Sequence, residues 1–269
     1  MPDRGSAVAS PPAGGGRRER LLREHFDTLA ALYDPATCER IERLGIGPGW
    51  HCWEAGAGGG SVARWLAGQT GSTGRVLATD VDPNALAVSQ GVGVEVLRHD
   101  LTADAAPEGL FDLVHARLLL EHIPDPQAGL AVLTGALRPG GWLLAESSDP
   151  MLAPLACPDQ TGPAESLANK VRQAIWTLEG HLSLKRFGRT LPRLLRAAGL
   201  ADVRAEVRFP LGGPDPVRLQ RTLLERRGHR LVAAGLLTED ELARHRDDLA
   251  AGRLDVAAFA VVAAWGRQP

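Results

Sequence analysis

Three carboxylates in the first half of the chain have the types and placing to hold one ligand. Glu54 stands just ahead of Gly56 in the run Trp53-Glu54-Ala55-Gly56-Ala57-Gly58-Gly59-Gly60-Ser61. Glycines there let backbone N–H groups approach a ligand where a Cβ would collide. A carboxylate beside them suits a cationic amino group and repels a pyrophosphate. Asp80, closing Ala78-Thr79-Asp80, can accept both hydroxyl hydrogen bonds of a ribose. Asp100, in Arg98-His99-Asp100-Leu101, lies one strand further along, within reach of an adenine amino group. Three acids at three successive strand ends, with no Arg or Lys poised for phosphate, describe a nucleoside that is cationic at one end. S-adenosylmethionine is such a ligand.

A second set of residues could move a proton. His115, Glu121 and His122 follow the fourth expected strand, which ends at Val114, so His115 is expected to emerge at the edge where chemistry occurs. Histidine is the side chain best matched to proton transfer near neutral pH. Tyr33, the only tyrosine, falls at a bend in the amino-terminal helical segment and could reach the same pocket from above. Arg117 and Glu121 stand four apart and could pair on a helix. His25 and His181 are weaker candidates, and Trp176 and Phe187 could wall a flat substrate.

Positioning these residues takes an alternation of strands and helices. Apolar runs at Trp50–Glu54, Arg75–Thr79, Val94–Arg98, Leu110–Val114, Trp142–Glu146, Val203–Arg208 and Val256–Trp265 read as strands. Helical patterns at Gly60–Ala67, Pro83–Gln90, Ala128–Leu137 and Arg189–Ala198 separate them. This predicts an α/β fold with one mostly parallel sheet of about seven strands and helices on both faces. Residues 1–16 read as a flexible leader. Residues 17–44 read as a cap of two short helices meeting at Asp34-Pro35, and 45–269 as one domain. Helical insertions at 151–188 and 211–252 are expected to roof the carboxyl edge of the sheet as a lid.

The motifs Glu54–Gly60, Ala78-Thr79-Asp80-Val81-Asp82-Pro83, Phe111-Asp112-Leu113-Val114-His115-Ala116-Arg117 and Leu137-Arg138-Pro139-Gly140-Gly141-Trp142 resemble, in order and spacing, those of class I S-adenosylmethionine-dependent methyltransferases. The resemblance implies a Rossmann-like sheet with S-adenosylmethionine as cofactor. It puts Glu54, Gly56 and Gly58 at the methionine end, Asp80 and Val81 at the ribose, and Asp100 and Leu101 at the adenine. Arg117 falls at the methionine carboxylate or the floor beneath it, and His115 is counted with this group. The segment Leu118–Asp125 and the helical cap look like a bacterial, actinobacterial-type branch that modifies small molecules. In the similar enzymes that methylate an indole carbon, tyrosine, glutamate and histidine combine to take the indole N–H proton. That implies roles for Tyr33, Glu121 and His122, with an O- or N-methylated acceptor as the alternative.

Composition narrows the rest. The 269 residues carry 30 basic and 32 acidic side chains, a formal charge of −2, so no basic field draws the chain to nucleic acid. No uncharged run exceeds twelve residues, short of the ~18 that span a bilayer. Three cysteines in no metal-like spacing suggest neither a zinc site nor a disulfide framework, which fits a reducing, cytoplasmic setting. A homodimer is possible through exchange of the amino-terminal helices. A nicotinamide oxidoreductase would need a third loop glycine where Ser61 stands. A nucleic-acid amino-methyltransferase would carry an Asn/Asp-Pro-Pro-aromatic run where His115-Ala116-Arg117-Leu118 stands. The remaining rival is a scaffold that binds the cofactor without turnover.

Overall fold

The computed structural model describes residues 16–84, 93–178 and 187–269. Residues 1–15 of the expected leader, most of the expected helix Pro83–Gln90, and His181 lie outside them. The elements run α1 (Arg17–Arg43), β1 (His51–Ala55), α2 (Ser61–Thr70), β2 (Arg75–Asp80), β3 (Val94–Arg98), β4 (Phe111–Arg117) and α3 (Pro126–Gly135). They continue as β5 (Leu137–Ser148), α4 (Pro163–Leu178), α5 (Leu191–Ala197), β6 (Ala201–Arg208), α6 (Pro214–Ala233), α7 (Glu239–Ala250) and β7 (Val261–Arg267).

The seven strands form one sheet in the order β3-β2-β1-β4-β5-β7-β6. β1 to β5 pair in parallel, and β7 lies antiparallel between β5 and β6. Central strands read as unbroken apolar runs because both faces are covered: β1 is buried from Cys52 onward and β4 from Phe111 to Ala116. One face packs Trp53, Phe111, Leu143, Leu133 and Leu195 against α3 and α5. The other packs Cys52, Val62, Leu66, Val76 and Leu144 against α2, with Ile41 of α1. The strand order reverses between β1 and β4, and in open sheets of this kind ligands bind at that switch point, beyond the strands' carboxyl ends.

Two expectations are corrected. The cap is one helix of 27 residues with Pro35 inside it, not two helices at a bend. An internal proline costs a helix ~3 kcal/mol, and anchors on both sides of it offset that cost. Leu32 and Tyr33 are buried against Leu219 and Val261, Asp34 bonds Arg117, Thr37 and Arg40 bond Glu146, and Ile41 enters the sheet core. The fourth strand also continues past Val114 to Arg117, which changes where His115 lies.

Helices α4, α6 and α7 share a separate apolar cluster of Val171, Ile175, Leu224, Leu231, Leu242 and Leu249. Thr238 caps α7 with a reciprocal Thr238–Glu241 pair. No helix among the described residues is long and apolar enough to cross a membrane.

Candidate active site

A cleft of about 400 Å³ opens at the switch point, within the size range of small-molecule sites. Its floor is the β1 edge and glycine loop: Glu54, Gly56, Ala57, Gly58, Gly59 and, from the end of β2, Asp80. Gly56 and Gly58 have φ of +67° and +53°, where a side chain is strained. A Cβ on Gly56 would also meet Leu119 at 2.9 Å, and one on Gly58 would meet Phe26 at 2.9 Å. The loop is therefore a cradle of bare backbone. Asp80 closes it from the next strand, its Oδ2 accepting from Gly58 N–H at 3.0 Å and its Oδ1 from Asp82 N–H at 3.1 Å.

The second wall comes from the turn after β4. Leu118 has φ of +54°, a strained value for a leucine, and its N–H is bonded to Glu146 O at 2.7 Å. This turn sets Leu119 against Gly56 and delivers Glu121 and His122 to the cleft. Glu121 and Arg117 do not take up the helical pairing that their spacing left open, because Arg117 ends a strand and Glu121 sits in a single tight turn, Leu120–His122. Glu121 is 5% exposed. Its Oε1 accepts from Ser148 N–H at 2.9 Å, and its Oε2 is buried with no hydrogen-bond partner among the described residues.

The roof is made of parts far apart in sequence. His25, Phe26, Leu29 and Ala30 come from α1, Ile175 and Trp176 from α4, and Leu223 and Arg227 from α6. Phe259, before β7, completes it. Burial, with help from Arg226 and Arg227, lowers the His25 imidazole to about 4, so it is neutral near pH 7. Residues of the segments 151–188 and 211–252 line the cleft, and so do residues of α1. Sequence periodicity marks α1 as amphipathic but does not say that Phe26 and His25 face the glycines.

Four expected site residues are placed elsewhere. His115 is not at the edge of the sheet: it lies inside β4, fully buried, with Nδ1 2.5 Å from Glu54 Oε2 and Nε2 3.2 Å from Glu146 Oε2. Burial alone would lower its imidazole, but the two carboxylates overcome this and raise it to about 9. Tyr33 does not reach the cleft, because its hydroxyl donates to the Phe259 carbonyl at 2.7 Å and burial pushes the phenol up. Leu101 packs into the sheet core with Trp53 and Leu120, and Phe187 into the same core, so neither side chain walls the cleft.

Asp100 and Val81 also lie outside the cleft lining. Asp100 Oδ1 accepts from Thr102 N–H and Oγ–H at 2.9 and 2.7 Å, a self-closing turn that occupies one of its two carboxylate oxygens. Val81 is exposed. Arg117 does line the cleft, held from below by Asp34 Oδ1 at 2.6 Å and Thr37 Oγ1 at 3.0 Å. Burial would lower its guanidinium, but Asp34, Glu146 and Glu54 raise it.

An open α/β sheet, a bare glycine cradle and acids at the ends of β1 and β2 define a nucleoside-binding fold of the methyltransferase kind. Comparison with known proteins agrees. Residues 53–145 match the family described as "Methyltransferase domain". Methyltransferase str3 of Strobilurus tenacellus is 30% identical over 201 residues, covering 74% of this chain and 68% of that protein. The ubiquinone/menaquinone biosynthesis C-methyltransferase UbiE of Cupriavidus taiwanensis is 28% identical over 121 residues, 43% of this chain and 50% of that protein. The chain thus spans about half the length of some curated relatives it matches. A solved SAM-dependent methyltransferase from Aquifex aeolicus shares the fold, with a TM-score of 0.50 at 13% identity, over 95% of this chain and 100% of that one. The chain belongs to the class I S-adenosylmethionine-dependent methyltransferases.

Proposed function

We propose that this chain transfers the methyl group of S-adenosylmethionine to a small organic acceptor, with an aromatic or indole compound as the class that the cleft fits best. The observation that carries the acceptor end is Glu121: buried, anchored through one oxygen to Ser148 N–H, and with the other oxygen unpartnered among the described residues, in the cleft wall beside His122. A buried acceptor atom left unpaired costs ~1–3 kcal/mol, so a donor from a bound molecule is the natural partner. The roof of Trp176, Phe259, Ile175 and Leu223 suits a flat apolar body. UbiE, one of the relatives above, is named for C-methylation in quinone biosynthesis, which agrees with an unsaturated ring as acceptor.

The cofactor fits the floor. The glycine loop puts no side chain of its own into the cleft floor, and Glu54 beside it offers a carboxylate to an amine there. Asp80 would hold the ribose and Arg117 the carboxylate. The bound cofactor supplies a sulfonium methyl as electrophile. The protein aligns the acceptor atom with that methyl and excludes water. Glu121 or His122 then receives the proton that the acceptor gives up.

The test is to incubate purified protein with methyl-labelled S-adenosylmethionine and a panel of indoles, phenols and amines, following S-adenosylhomocysteine release. Turnover with an indole or other aromatic carbon acceptor supports the reading. Turnover with only amines or alcohols moves the acceptor to nitrogen or oxygen. Cofactor binding with no release across the panel favours the scaffold.

A further inference from the structure

We propose that His115 is a positioning residue for the cofactor's amino group: locked between Glu54 and Glu146 inside the sheet, it keeps Glu54 ionised and aimed at the glycine end of the cleft. This rests on the reading that the cleft holds S-adenosylmethionine.

The three residues occupy three adjacent parallel strands. Glu54 of β1 is the direct register partner of His115 of β4, and Glu146 of β5 reaches the imidazole from the other side. All three are buried, and of the three only Glu54 lines the cleft. Two carboxylates this close and this dry cannot both stay ionised without a cation between them.

The surrounding groups divide the two acids. Glu146 has cationic and hydroxyl partners of its own on α1: Arg40 Nη1 donates to Oε1 at 3.1 Å and Thr37 Oγ1 to Oε2 at 2.5 Å. Arg40 also bonds Glu206 of β6. Arg117 of β4 bonds Asp34 and Thr37 of α1, and its charge also acts on Glu146 and Glu54 without a hydrogen bond to either. Cys38 of α1 and Cys52 of β1 complete the ionisable surroundings, and burial pushes both thiols up, so they stay neutral. Among the described residues, His115 is the cation hydrogen-bonded to Glu54. Removing it leaves Glu54 beside the better-supported Glu146 charge, and Glu54 is the one that takes up a proton. A neutral Glu54 no longer answers the cofactor's ammonium. The nucleoside end of the site, at Asp80, is untouched.

The experiment compares two ligands that differ at the amino-acid end. S-adenosylhomocysteine carries the amine and carboxylate, and 5′-methylthioadenosine is the same thioether nucleoside without either. For His115→Gln, the dissociation constant of S-adenosylhomocysteine should rise at pH 6.5, because the uncompensated charge of Glu146 opposes a second carboxylate charge on Glu54. The defect should shrink as pH rises toward 8, while methylthioadenosine binding stays unchanged. Equal losses for both ligands, or a loss independent of pH, would show a merely structural histidine and overturn the proposal.

A measurement on the unmodified protein covers the case of a variant that does not fold. By histidine nitrogen-15 NMR, the His115 ring should titrate at a lower pH with S-adenosylhomocysteine bound than without, because the ligand amine competes for Glu54, and should not move with methylthioadenosine. An unmoved titration with S-adenosylhomocysteine bound overturns the proposal. Failure of the unmodified protein to bind S-adenosylhomocysteine at all would instead overturn the cofactor reading beneath it.

Discussion

Phe26 of α1 lies directly over Gly58: a Cβ at position 58 would come within 2.9 Å of the Phe26 ring, and one at Gly59 within 3.0 Å of Phe26 Cβ. The amino-terminal helix and the glycine loop therefore meet with no room for a side chain between them. The same contact helps to roof the cleft.

Gly58→Ala is penalised twice, by its φ of +53° and by Phe26. A cost of about 2 kcal/mol is expected, seen as a thermal midpoint lower by roughly 4–8 °C. Adding Phe26→Ala should remove the steric part and leave the backbone part, so the second substitution costs less in the Gly58→Ala background than alone. Additive losses would mean that the two residues do not touch.

Asp80 holds two N–H groups of its own chain and faces the cleft. Asp80→Ala should weaken S-adenosylhomocysteine binding by about 1–3 kcal/mol, roughly 5- to 150-fold by calorimetry. Unchanged affinity would remove Asp80 from the ribose.

Glu121→Gln keeps the shape and an oxygen for Ser148 N–H but cannot take a proton. If Glu121 is the acceptor's base, kcat should fall by about 10²–10⁴-fold, with cofactor affinity within a factor of ~2. His122→Gln should show a fall of that size only if the histidine shares the proton. A fully active Glu121→Gln variant would leave the residue an anchoring role alone.

Stability should peak near neutral pH. His115 is raised from 6.5 to about 9, so its contribution is complete below pH 6.5 and is lost as pH rises through 9, of order 3 kcal/mol. His25 and His245 are lowered from 6.5 to about 4, mainly by burial, so their contribution is present above 6.5 and is lost as pH falls through 4. Urea midpoints measured across this range should trace a dome. His245→Gln should flatten its acid side.

The parts of the site that were legible in the sequence are those fixed by local backbone needs. Gly56 and Gly58 mark a loop that only glycine fits, and Asp80 follows an unmistakable buried strand. His115 was misplaced because the end of a strand is weakly encoded. Stopping β4 at Val114 puts the next residue at the rim, whereas three more residues of pairing put it inside. Tyr33 shows a different limit: spacing places it on the inner stripe of α1, yet the Phe259 carbonyl that takes its hydroxyl arrives from 226 residues away. Pro35 signals a break that the contacts of Asp34 and Thr37 override. Phe26 and His25 enter the site through the docking of α1, which no local pattern announces.

The most direct test of the whole account is a crystal structure with S-adenosylhomocysteine bound. The nucleoside should lie between Asp80 and the glycine loop, with its amine on Glu54 and its sulfur facing the space beside Glu121 and beneath Trp176. A ligand bound away from the end of β1, or one whose sulfur points away from Glu121, would contradict it.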